Sequence, residues 1–279
     1  MDRLMPLFSV HPQAPALETQ AAEFAREMQF DTASREVEAR HKRCASAWET
    51  HLHRTREVIL AAADRAAGQR KALVLGAGLL HDIPLPELAA RFDQVLLVDA
   101  FHSRACKIRA SIFPNVICLA ADVTGTSTHL LQVRRSGGAL LRIEAALLED
   151  DPDIDFTVSV NMLSQLGCAP AQLLRASHSE AEIQAFQRHL IESHLAYLRR
   201  RGGHTALVTD YAWSRRPVGS TCAETLARWD VLHQTPLPET DHTWEWRIAP
   251  APESDPHLDV IAHVAAFPDW KQATRMVLR

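Results

Sequence analysis

The sequence predicts an α/β protein: a Rossmann-like, seven-stranded, mostly parallel sheet with helices on both faces and an N-terminal helical extension. Three observations predict it. Apolar runs such as KALVL and QVLLV alternate at regular intervals with stretches of helical composition, the pattern of βαβ units and a parallel sheet. The first run ends in Gly-Ala-Gly (76–78) and the second in Asp99. Two late runs, HTWEWRIAP and HLDVIAHVAAF, read as strands with no helix between them, hence as an antiparallel pair.

The elements follow in order. Residues 1–16 hold three prolines and little pattern and are read as an arm. From Leu17 to Ala67 Ala, Glu, Arg and Gln dominate, with no proline or glycine before Gly68; the stretch reads as helix, broken near Phe30-Asp31-Thr32. After the first strand a helix is expected over LPELAARF, with Pro84 and Pro86 near its start. QVLLVDA is the second strand, SRACKIRASI a helix and NVICLAADV a third strand ending near Asp122. A Ser/Gly/Thr-rich segment leads to a helix expected around Ala139–Leu148, and Phe156–Val160 is the fourth strand. A long helix over Glu180–Arg201 stops at Gly202-Gly203, and HTALVTDYAW is the fifth strand. The division expected is 1–67, an arm and helical lid, and 68–279, the Rossmann-like domain.

Composition narrows the function. The 279 residues suit one large α/β domain with an extension. With a net charge of -4 there is no basic field to draw nucleic acid or an anionic membrane. No apolar run approaches the roughly 18 residues of a membrane span, and the N-terminus lacks an apolar signal core. The cysteines Cys44, Cys106, Cys118, Cys168 and Cys222 are scattered and never in CxxC spacing, so they read as reduced thiols of a cytoplasmic protein with no zinc site. The fifteen histidines include no HExxH-type pair, and no metal is expected.

The chemistry lies at the strand ends. Gly76 and Gly78, flanking Ala77, permit a tight turn and the close approach of a ligand. Asp99, 21 residues after Gly78, is placed to accept hydrogen bonds from two ribose hydroxyls. Asp122 offers an acceptor for an exocyclic amine beside apolar Val123. A dinucleotide fingerprint would need glycine where His81 stands, so a nucleoside without a pyrophosphate fits better. The bland alternative is a sharp turn with two incidental acids.

On these residues the chain resembles the class I S-adenosylmethionine-dependent methyltransferases. LVLGAG is similar to their first motif, VDA to their ribose motif, ADV to their adenine motif, TVSVNMLSQL to the segment at their fourth strand, and the late strands to their terminal hairpin. The resemblance covers about Gln69 to Phe267. It implies S-adenosyl-L-methionine as cofactor, held by Gly76, Ala77, Gly78, Asp99, Ala100, Asp122, Val123 and Asn161. Two positions depart from the family: Val74 stands where an acid is common, and Leu80 where a third glycine is usual. Both affect the methionine end of the cofactor.

Along the N-terminal helix, His41, Cys44, Trp48, His51, Thr55 and Val58 share one face. Read functionally, this is a lid over the transfer pocket, with Arg40 or Arg43 meeting an anion, Trp48 facing substrate and His51 as a candidate base. Read structurally, it is an amphipathic helix packed on the sheet. Asn161, at the mouth of the fourth strand, is a second catalytic candidate or a turn cap; Tyr211 and Trp213 wall an apolar substrate pocket or simply pack. Asp82 is a ligand contact or a helix-dipole partner, Arg199–Arg201 complement the end of their own helix, and Trp244 and Trp246 share a face and pack. The leading expectation is methyl transfer to a small-molecule acceptor, since SVNM, not an NPPY-type stretch, follows the fourth strand and no basic stripe suits nucleic acid. Two alternatives stay open: a non-catalytic relative, for which Val74 and Leu80 speak, and an NAD-dependent oxidoreductase, which Asp99 permits and His81 opposes.

Overall fold

The computed structural model describes residues 14–219 and 225–273. Helices α1 (Ala14–Glu27) and α2 (Phe30–Ala63) come first. Then follow β1 (Lys71–Leu75), α3 (Leu85–Arg91), β2 (Gln94–Asp99), α4 (Arg104–Ala110), β3 (Val116–Ala120), α5 (Ser127–Ser136) and β4 (Ile154–Val160). A 3-10 turn over Leu163–Gln165 leads to α6 (Cys168–Leu174), α7 (Glu180–Arg200), β5 (His204–Pro217), β6 (Ala227–Asp230), β7 (Thr243–Ala249) and β8 (Leu258–Phe267).

The sheet runs in the order β3-β2-β1-β4-β5-β8-β7. Neighbours from β3 to β5 pair in parallel, while β8 is antiparallel to both β5 and β7. The expected hairpin of late strands is present. Among the described residues there is one strand more than expected, because the short β6 pairs with the far end of β5.

Strand periodicity sorts the core into two layers. Leu73, Leu75, Leu96 and Val98 point to one face, where Ile191, Leu195 and Leu198 of α7 cover them. Ala72, Val74, Val95 and Leu97 point to the other, against Ile59, Ala62 and Ala63 of α2, Leu88 of α3 and Cys106 and Ala110 of α4. The C-terminal half of α2 is therefore a core element of the sheet sandwich, and the helix also packs on β7 and β5. Helix α1 lies against α5 and β3.

Three local outcomes differ from expectation. The break between the first helices falls at Gln29 (φ 54), slightly before Phe30. No helix forms over Ala139–Leu148: α5 lies earlier and is stopped by two glycines at positive φ, Gly137 (70) and Gly138 (129). Backbone groups of the non-helical stretch that follows are satisfied by α7 instead. His189 pairs with Ile143 O, Ser193 accepts from Ala145 N, and Tyr197 donates to Leu147 O. Arg200 donates to Ala145 O and Arg201 to Leu148 O, so these arginines serve that stretch and not the end of their own helix. Arg199 stacks its guanidinium over Trp270, 4.4 Å from the ring centre, and donates to Trp270 O and Ala273 O. Of the arm expected over 1–16, residues 14–16 already belong to α1, and residues 1–13, with Cys222 and the last six residues, lie outside the described residues. Among the described residues no helix is long and apolar enough to cross a membrane.

Candidate functional site

The strand order reverses between β1 and β4, and crevices at such switch points open at the carboxyl ends of the strands. The predicted residues gather there. Gly76 N and Ala77 N both donate to Val98 O, which ties the turn to the end of β2. Gly76 has φ 81, and a Cβ on it would lie 2.6 Å from Val160 O and 3.0 Å from Met162 Cβ. Gly78 has φ 50 but open surroundings, its nearest neighbour being Gly76 O at 4.0 Å. Leu80, at the family's third glycine, keeps the left-handed backbone (φ 62) although it carries a side chain, a conformation that strains any L-residue. Gly76→Ala is expected to destabilise the chain by about 1–3 kcal/mol more than Gly78→Ala, because strain is shared but only at Gly76 would the Cβ clash with a backbone oxygen; urea unfolding of the two variants checks this order.

Asp99 Oδ2 accepts from Gly78 N at 2.8 Å, and Oδ1 faces Phe101 N at 3.4 Å. The carboxylate keeps acceptor sites free, and burial pushes its pKa up. Ala100 follows it, half-buried. Asp122 is more fully engaged: Oδ1 accepts from Thr124 N (2.8 Å) and Thr124 Oγ1 (2.6 Å), and Oδ2 from Ser127 N (2.7 Å) at the start of α5. Val123 is buried beside it.

Asn161 follows β4 with φ 48, its N–H donating to Val208 O at 2.8 Å. Its Nδ2 donates to Asp82 Oδ2 (2.7 Å) and lies 3.1 Å from His51 Nε2, while Oδ1 is buried without a partner. Burial raises the Asp82 carboxyl above its usual range. On the other side of His51, the Trp244 indole donates to Nδ1 at 3.1 Å, and Trp246 stacks on the ring at 3.9 Å. Burial holds the His51 imidazole down to about 3, so it is neutral and has one acceptor nitrogen. An indole N–H can only donate, so Nδ1 is that acceptor and Nε2 carries the hydrogen. His51 therefore faces Asn161 as a donor, and this geometry gives no support to a base role at Nε2. The Asn161 oxygen turned towards His51 would accept that hydrogen, and a protonated Asp82 would share it.

The other candidates are brought to the same half of the molecule in different roles. Arg40 and Arg43 do meet an anion, but it is Glu253 of the chain itself: Arg43 Nε donates to Oε2 at 2.8 Å, and Arg40 Nε to Oε1 at 3.3 Å. These bonds hold the Glu253 carboxyl down to about 2. Trp48 is buried, donates from Nε1 to Ile248 O (3.0 Å) and meets Trp246 edge-on at 5.1 Å. Tyr211 and Trp213 are half-buried on β5. Trp213 Nε1 donates to Asp210 Oδ2 at 2.5 Å, and Ser164 donates to Asp210 Oδ1 at 2.6 Å. This buried Asp210–Ser164 pair was not anticipated, although Asp210 sits towards the same end of β5 as the other strand-end residues do of theirs. The cysteines are not all scattered in space either: Cys106 and Cys118 meet at His102. Two cavities, of about 550 and 450 Å³, open elsewhere, the first beside His204 at the start of β5 and the second beside Trp270.

No family model matches the chain, and no curated protein matches it. Solved structures similar to it include an N-methyltransferase, NodS, from Bradyrhizobium japonicum WM9 with bound S-adenosyl-l-homocysteine (14% identity, TM-score 0.35, 78% of this chain and 87% of that one). Another is 1,6-didemethyltoxoflavin-N1-methyltransferase from Burkholderia thailandensis (11%, TM-score 0.36, 94% and 92%). A third is the 23S rRNA methyltransferase ErmE (10%, TM-score 0.31, 75% and 67%). At such scores the fold rests on the observed strand order: a Rossmann-like sheet, parallel from β3 to β5, closed by an antiparallel hairpin.

Proposed function

We propose that the chain is an S-adenosyl-L-methionine-dependent methyltransferase acting on a small-molecule acceptor. The observation that carries this reading is the glycine turn at the switch point, packed so closely that Gly76 admits no Cβ, with Asp99 and Asn161 on either side. Gly76, Ala77 and Gly78 would line the turn, with Asp99 and Ala100 on the ribose and Asp122 and Val123 on the adenine. With its oxygen turned to His51 and Asp82, Asn161 would offer amide N–H groups, which suit the methionine carboxylate, while Val74 leaves the ammonium without its usual acid. When bound, the cofactor supplies an electrophilic methyl group. The chain's own part is positioning and exclusion of water, through which most of such a rate can be gained. His51, Asp82 and Trp244 hold Asn161 in place, and α1 with the first half of α2 forms the lid. Tyr211, Trp213 and Trp48 wall the acceptor side. With Arg40 and Arg43 both engaged by Glu253 and a net charge of -4, a small acceptor fits better than a polyanion.

Calorimetry with S-adenosylhomocysteine and with NAD tests the reading. S-adenosylhomocysteine is expected to bind, and at a hundredfold excess over its Kd to stabilise the fold by about 2.7 kcal/mol. Asp99→Ala is expected to weaken it at least tenfold, since hydrogen bonds to a charged group are worth about 1.5–3 kcal/mol each. Asp122→Ala is expected to weaken it less, because three internal hydrogen bonds already occupy that carboxylate. Binding of NAD alone, or two variants that bind like the parent chain, would overturn the proposal. The non-catalytic reading draws on Val74 and the strained Leu80; it is the outcome in which the ligand binds but no acceptor in a panel of amines, phenols and thiols is methylated.

A further inference from the structure

His102, Cys106 and Cys118 converge on the face of the sheet that α4 covers. His102 stands just before Ser103, the N-cap of that helix, Cys106 lies one turn further on, and Cys118 reaches them from β3, where it is in register with Leu97. The ligating atoms of the three all lie within 4.8 Å of one another. His102 and Cys106 are buried, and Cys118 is half-buried.

The histidine is oriented as a ligand would be. Its Nε2 lies 3.2 Å from Leu119 O, and its Nδ1 lies 3.6 Å from Cys106 Sγ. A carbonyl oxygen only accepts, so Nε2 carries a hydrogen, and in the neutral ring the lone pair is on Nδ1, which faces Cys106 Sγ. A backbone carbonyl fixing the remote nitrogen is the usual second partner of a metal-bound imidazole. We infer that these three side chains form a zinc site.

Geometry and charge both favour Zn²⁺. Zinc–sulfur and zinc–nitrogen bonds of about 2.3 and 2.0–2.1 Å at tetrahedral angles put nitrogen and sulfur about 3.6 Å apart and two sulfurs about 3.8 Å apart. The observed nitrogen–sulfur separation already has the first value. The sulfurs, no more than 4.8 Å apart, need at most about 1 Å of adjustment. Two thiolates and a neutral imidazole cancel the charge of Zn²⁺, so the filled site carries no net charge into the protein. Copper(I) would leave one negative charge there, and magnesium or calcium would require oxygen ligands. With three protein ligands and Cys118 only half-buried, a water would complete the tetrahedron. Binding releases the two thiol protons to solvent. The site would cross-link α4 to β3, and this inference does not rest on the methyltransferase reading.

The test uses the full chain, stripped with a chelator under reducing conditions and then given Zn²⁺ or Co²⁺. One equivalent of zinc is expected to survive desalting by elemental analysis and to raise the melting temperature. The cobalt form is expected to show thiolate-to-cobalt charge transfer with tetrahedral ligand-field bands. Cys118→Ser, at the half-buried position, is expected to keep the fold by circular dichroism and to weaken zinc at least tenfold. His102→Gln is expected to do the same, while Cys168→Ser, whose exposed thiol lies elsewhere, is expected to keep the full equivalent. Zinc content unchanged by Cys118→Ser overturns the inference. So does the absence of a retained equivalent in the reduced chain, including the case in which Cys106 and Cys118 are found only as an air-formed disulfide.

Discussion

Trp48→Ala is expected to lower the stability of the fold by about 3–5 kcal/mol, the usual cost of deleting a buried aromatic. Trp48 is only 5% exposed and sits where α2 crosses the β7 hairpin. Its ring packs edge-on against both Trp246 and His41, and its indole donates to Ile248 O. Truncation leaves a cavity and strips that carbonyl of its partner. The nearby ion pair offers no comparable anchor: Arg43 is 57% exposed, and pairs of that kind contribute about 0–1 kcal/mol. Arg43→Ala is therefore expected to unfold within about 1 kcal/mol of the parent chain. The loss at Trp48 reaches the site as well, because Trp246 is the ring that stacks on His51. Equilibrium denaturation of both variants measures the difference. A Trp48→Ala variant as stable as Arg43→Ala would show that α2 is held by its C-terminal half alone.

Stability is expected to fall as the pH is lowered from about 6.5 towards 4, with two buried histidines as the cause. Burial holds His51 down to about 3 and His194 down to about 4, against 6.5 in the unfolded chain. Between those values the unfolded state binds protons that the folded state refuses, so lowering the pH favours unfolding. The stabilisation is complete above the unfolded value and is lost as the pH falls towards the folded one. Each group accounts for about 3 kcal/mol by pH 4, at 1.36 kcal/mol per unit. The carboxyls of Asp82, Asp99 and Asp210 act in the opposite sense. Burial raises their folded values, so just above the unfolded value of 3.8 they hold protons that the unfolded chain has released. The net decline is accordingly smaller than the histidines alone would give. Denaturation across this pH range measures it. His194→Leu is expected to remove about one proton, or 1.4 kcal/mol per pH unit, from the slope. This histidine hydrogen-bonds only Ser159 Oγ and its Nδ1 has no partner, so the slope isolates its charge. An unchanged slope would mean that His194 titrates freely within the fold.

The sheet was legible because its strands are short apolar runs whose alternate residues must be buried on opposite faces. Once Leu73 and Val74 were read as a strand, the two core layers followed. The Ala139–Leu148 stretch has the composition of a helix but is not one, because its backbone groups bind side chains of α7, more than forty residues away. Local propensity carries no information about such remote partners. The short β6 was missed for a related reason: it exists as an edge on the extended half of β5.

The parallel sheet, the late hairpin, the glycine turn and the strand-end positions of Asp99, Asp122 and Asn161 are written in the amino-acid order, because each depends on periodicity or on residue type at a turn. What those side chains meet depends on how the elements pack. Packing bound Arg40 and Arg43 to Glu253, set Trp244 against His51 Nδ1 and so gave the hydrogen to Nε2, and brought Cys118 to His102 and Cys106 although no metal spacing links them. Hydrogen bonds, ion pairs and ligand clusters are short-range contacts, often between side chains distant in sequence. Their partners are chosen by how helices and strands pack, which local pattern does not encode.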